Sequence, residues 1–159
     1  MTAHKHEHYL RLALDMARLN LGARHGGPFG AVVVRNGEVI ASASNEVLLT
    51  NDPTAHAEVV AIRRACEHLG SFQLEGCILY TSCEPCPMCL GAIYWARPDA
   101  VVFAATREDA ADAGFDDEHI YQQIALAPGQ RQIPSVQLLG EEARDVFKDW
   151  KNLDDRILY

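Results

Sequence analysis

Two small groups of metal-ligating side chains constrain this chain more than any other feature. His56 stands two positions before Glu58, and Cys86 and Cys89 follow later within Pro85-Cys86-Pro87-Met88-Cys89. One imidazole and two thiolates supply three ligands to a tetrahedral ion and leave a fourth position open for water. Any fold that uses them must bring two distant segments together. Both sets fall where helices are expected to start. Pro87 suits a first helical position, where its missing N–H costs nothing. Helix N-termini also favour negative charge, which helps to hold cysteines as thiolates.

The remaining pattern supplies a fold for these segments. Apolar residues over 8–21 form two interleaved helical stripes, Tyr9, Leu12, Met16 and Leu19 beside Leu10, Leu14, Ala17 and Leu21, with Gly22 as the stop. Residues 29–35 and 38–44 are apolar runs joined by Asn36-Gly37, the strongest short hairpin signal because both central positions need φ > 0. Asn51-Asp52-Pro53-Thr54 is expected to open a second helix that runs to Leu69, with Gly70 beyond it. A strand over 77–81, a helix from Pro87 to Arg97, and a strand over 100–105 follow. Further along, the pattern predicts helices near 119–126 and 141–151 and a fifth strand at 136–139. Helices between the later strands imply parallel crossovers. The expected architecture is a three-layer α/β/α sandwich on a mixed five-stranded sheet.

Composition limits the partners. The 159 residues make one domain, and 14 basic against 22 acidic residues give a net charge of −8. Gripping a phosphate backbone takes clustered Lys and Arg, so nucleic acid is not the expected partner. No segment approaches the ~20 apolar residues of a membrane span. No N-terminal apolar stretch reads as a signal peptide, so a reducing, cytoplasmic location is expected. There, the five cysteines point to metal or catalysis rather than to disulfides.

Cys83 complicates the ligand register, because Cys83 and Cys86 also form a C-x-x-C. All three cysteines with His56 would close the site and make it structural. Cys86 and Cys89 are preferred, since Pro87 lets a helix begin between them. Cys83 is then a neighbouring thiol, and Cys66 and Cys77 are buried ones. A closed structural site has no use for Glu58, so its presence favours catalysis.

The blocks Gly27-Pro28-Phe29-Gly30-Ala31, Asn45, Asp52 to Glu58, and Ser82 to Trp95 resemble the zinc-dependent nucleobase and nucleoside deaminases of the cytidine deaminase-like fold. Ala113-Gly114-Phe115-Asp116-Asp117, Tyr94-Trp95-Ala96-Arg97 and the terminal Tyr159 are similar to the branch that acts on guanine. The resemblance implies one Zn²⁺ per subunit on His56, Cys86 and Cys89, with Glu58 as general acid/base. It implies that Asn45 hydrogen-bonds the base and that Asp117 contacts its amino group and assists proton transfer. Phe29 and Trp95 would flank the ring. Tyr159 would close the pocket of a partner subunit, through a swapped tail over 153–159 in a homodimer. The implied reaction is hydrolysis of guanine to xanthine and ammonia in purine catabolism. Deaminases of cytosine, a pterin or a triazine remain alternatives, as do tRNA adenosine deaminases and a non-catalytic zinc-binding module.

Overall fold

The computed structural model describes residues 3–115 and 117–158. The chain divides into two compact units, Met1–Asp117 and Glu118–Tyr159. The first contains α1 (Ala3–Ala23), β1 (Gly30–Arg35), β2 (Glu38–Ser44), α2 (Val47–Thr50), α3 (Ala57–Leu69), β3 (Cys77–Cys83), α4 (Pro87–Ala96), β4 (Ala100–Ala105) and α5 (Arg107–Asp112). The second contains α6 (Glu118–Ala125) and α7 (Gly140–Lys151). Among the described residues, no helix is long and apolar enough to cross a membrane.

The sheet order is β2-β1-β3-β4. β1 runs antiparallel to both β2 and β3, while β3 and β4 are parallel, as a strand–helix–strand crossover through α4 requires. Asn36 and Gly37 turn the hairpin at φ 54° and 87°, as the dipeptide foretells. Side chains alternate across β1. Ala31 and Val33 join a core with Val60, Ala61 and Ala65 of α3 and Ile93 of α4, whereas Val32 and Val34 face Tyr9 and Ala13 of α1. The sheet is therefore covered on both faces, in three layers.

Three expectations need correction. The fifth strand at 136–139 does not form, and the sheet has four strands among the described residues. Val136, Leu138 and Leu139 are exposed, and Leu139 adopts φ 53° at the start of α7, which breaks an extended run. The first helix passes through Gly22, and its buried stripe is Tyr9, Ala13, Ala17 and Asn20; of the expected stripes Tyr9 and Ala17 are buried and Leu10 and Leu12 partly so, whereas Leu19 and Leu21 are exposed. The cause is close approach, since a Cβ on Gly30 would run into the Ala13 carbonyl and the Ala17 amide. Only small residues fit that crossing. Finally, Asn51 to Thr54 forms a turn rather than a helix start. The Asp52 carboxylate accepts from the Thr54 amide at 2.8 Å and its hydroxyl at 2.7 Å, an Asx-type closure that delays α3 to Ala57.

Candidate active site

That delay is what places the histidine. His56 becomes the N-cap of α3, with extended backbone at φ −67° and ψ 153°, and its side chain leaves the helix end instead of the helix flank. Cys86 caps α4 in the same way, at φ −64° and ψ 168°, with Pro87 at the first helical position. Cys89 lies in the first turn of α4 and is fully buried. The two helix starts converge. His56 Nδ1 stands 3.6 Å from Cys86 Sγ and 3.5 Å from Cys89 Sγ. All three ligand atoms lie within 4.8 Å of one another. A tetrahedral zinc with ordinary Zn–N and Zn–S bonds separates nitrogen from sulfur by about 3.6 Å. The donor set and its spacing fit that ion. Cys83 is not part of the group.

The protein groups polarise one another. Cys86 accepts from the Cys89 thiol and from His56, which brings it down to about 4, a thiolate. Cys89 is correspondingly held protonated by its bond to Cys86 and by burial. The Cys86 contact raises His56. Cys83 is pushed up to about 11, chiefly by burial and then by Glu58, and lies 3.4 Å from the Thr106 carbonyl as its donor. That direction takes its sulfur away from the group of ligand atoms. Glu58, in the first turn of α3, is 6% exposed, and burial raises its carboxyl beside both cysteines and His56. A buried carboxyl that holds its proton more readily suits proton transfer.

The loops add a second wall. Asn45 leaves the end of β2 and is buried. Its amide donates to the Phe29 carbonyl at 3.0 Å, and its Oδ1 accepts from the Val47 amide at 3.2 Å. The Gly30 amide donates to Ser82 Oγ at 3.0 Å, tying the start of β1 to the end of β3. Phe29 meets Phe115 edge-on, with ring centroids 4.9 Å apart. Asp117 is half-buried, and its charge adds a small part to the raised Cys83 thiol.

The family model for the cytidine and deoxycytidylate deaminase zinc-binding region matches residues 3–105. The chain belongs to this deaminase family. It is 54% identical to the guanine deaminase of Bacillus subtilis over 97% of this chain and 99% of that one. The X-ray structure of guanine deaminase from Bacillus subtilis superposes with a TM-score of 0.94 at 52% identity, covering 100% of this chain and 99% of that one. A tRNA-specific adenosine deaminase from Agrobacterium fabrum is more distant, at 38% identity over 93% of this chain and 97% of that one.

Within this deaminase, the structure brings His56, Glu58, Cys86 and Cys89 together, and main-chain hydrogen bonds link Phe29 to Asn45 and Glu46 to Ala55, the residue before His56. Trp95 is elsewhere. It is exposed near the C-terminal end of α4, nine residues beyond Cys86, or about 13 Å along a helix axis. Tyr159 and Asp116 lie outside the described residues. Sequence reasoning missed Phe115 as a packing partner of Phe29, and it missed Asn20. The one signal for Asn20 was a polar residue on the apolar stripe of α1.

Proposed function

We infer that this deaminase hydrolyses guanine to xanthine and ammonia, using one zinc ion per subunit. The observation that carries the reading is the 54% identity to a guanine deaminase along nearly the whole chain, including residues past the shared zinc-binding region. The reaction forms a C2–O bond to the oxygen of water and breaks the C2–N bond to the amino group. His56 Nδ1, Cys86 Sγ and Cys89 Sγ would hold the metal, which when bound supplies the Lewis acidity that makes water a nucleophile near neutral pH. Glu58 takes the proton of that water on its carboxylate and returns it to the base. Its burial keeps bulk water from acting in its place. Asp117 contacts the amino group and helps to protonate it as it leaves.

Asn45 orients the base. Its Oδ1 is engaged by the Val47 amide, so the Nδ2 hydrogens are what it offers to a ring nitrogen or carbonyl oxygen. Phe29 supports the ring from one side. Trp95 and Tyr159 serve through a second subunit, with the tail over 153–159 closing the partner's pocket in a homodimer. The 159 residues then form one functional domain whose pocket is completed by its partner. The net charge of −8 opposes RNA as substrate, and the absence of a long apolar helix among the described residues accords with a cytoplasmic enzyme of purine breakdown.

The test is ammonia release from guanine, cytosine, adenine, a pterin and a triazine, with and without chelator. Release from guanine alone, abolished by chelation, supports the reading. Release from another base alone would replace the substrate, and silence across the panel would favour a zinc-stabilised binding module.

A further inference from the structure

Asn20 occupies the last turn of α1 and is 1% exposed. The other buried positions of its stripe, Tyr9, Ala13 and Ala17, pack against the sheet by apolar surface. Asn20 instead spends both Nδ2 hydrogens on main-chain carbonyls. One bond goes to Gly27 at 2.7 Å and the other to Asn45 at 2.9 Å. Its Oδ1 is buried with no hydrogen-bond partner among the described residues. An orphaned acceptor is unfavourable, and an apolar residue would avoid it only by leaving the Gly27 and Asn45 carbonyls without these donors.

The two acceptors identify another role. Gly27 belongs to the loop that leads α1 into β1, and Asn45 to the loop that leaves β2. These loops are otherwise joined by the Asn45 amide on the Phe29 carbonyl and by the Leu48 and Leu49 amides on the His25 carbonyl. Between them, a Cβ on Gly26 would fall on Asn45 Oδ1, so the Asn45 side chain lies directly against the Gly26 backbone. The Glu46 amide donates to the Ala55 carbonyl at 2.9 Å, which carries the same framework to the residue before His56. Asn20, in the last turn of α1, holds the main chain of Asn45 through the Asn45 carbonyl.

We propose that Asn20 is a positioning residue for the substrate amide: it ties the Gly27 and Asn45 carbonyls to α1 and so sets where the Asn45 side chain points. The proposal rests on the reading of Asn45 as the group that contacts the base. An amide displaced by a fraction of an ångström binds and orients the base less well, and errors of about 1 Å can cost on the order of a hundredfold in rate.

The test is a double-mutant cycle on the zinc-loaded, full-length enzyme with guanine as substrate. Asn20→Ala should raise KM by roughly tenfold, with a smaller change in kcat and unchanged zinc content. In an Asn45→Ala background that factor should shrink to near unity. Tyr9→Phe, which removes a 2.6 Å bond from α1 to the Gly37 carbonyl, is the stability control and should leave KM unchanged. Asn20→Asp keeps the volume while exchanging donors for acceptors, and should behave as Asn20→Ala does. An Asn20→Ala factor that persists undiminished beside Asn45→Ala would overturn the proposal alone. A silent Asn45→Ala would overturn the reading of Asn45 and this proposal with it. Failure of both Asn20 variants to fold would assign the residue to anchoring α1 and overturn the positioning role.

Discussion

Replacing Glu58 with Gln tests the chemistry with least disturbance to the fold. Gln keeps the length and one carbonyl oxygen of the side chain but cannot take a proton from water. General acid/base catalysis contributes about 10²–10⁴-fold. Glu58 belongs toward the upper part of that range, because it is 6% exposed and bulk water cannot substitute for it. A loss of about a thousandfold in kcat corresponds to roughly 4 kcal/mol on the barrier. Stability should move the other way or not at all, since burial disfavours the charged form of Glu58 and Gln carries no charge. The ligands are untouched, so zinc content should stay at one per chain. The assay is steady-state ammonia release beside metal analysis and a thermal melt. A Glu58→Gln protein with a rate within about tenfold of the parent would refute the assignment. Loss of zinc together with activity would show instead that the carboxyl supports the metal group.

Two further substitutions and one deletion probe the rest of the site. Cys83→Ala should retain the metal, because its thiol is directed at the Thr106 carbonyl and lies outside the ligand group, whereas Cys86→Ala should lose it; metal analysis after dialysis separates a three-ligand site from a closed four-ligand one. Deleting residues 153–159 should lower kcat/KM for guanine by at least about tenfold through loss of the closing tail, and an unimpaired truncation would remove Tyr159 from the site.

The parts of this structure that were legible beforehand obey rules acting within a few residues. Asn36-Gly37 had to supply two positive φ angles, and Pro87 could only favour a helix start. Cys86 and Cys89, as N-cap and first-turn residues of one helix, face the same end whatever lies around them. The errors come from longer-range geometry. The pattern places Leu19 and Leu21 on the apolar face of α1, but the close crossing at Gly30 buries Ala13 and Ala17 and leaves those two leucines exposed. The strand expected at 136–139 had suitable residues but needed a partner strand, and pairing is not encoded in a single segment.

Substrate choice follows the same division. The ligand group and Glu58 lie within residues 3–105, the region matched by the whole deaminase family, whose members include relatives described as tRNA-specific adenosine deaminases. A shared metal group cannot by itself distinguish a free purine from an adenosine held in RNA. The discriminating contacts must come from what surrounds it. Two elements are proposed for this role: the loop of Gly26 and Gly27 tied to Asn45 through Asn20, and the segment after β4 that sets Phe115 on Phe29 and carries Asp117. The second lies beyond the family match and is acidic, which suits an amino-bearing base and repels a phosphate backbone. The selectivity proposed for this chain therefore resides in how loops border a common metal site, not in the site itself.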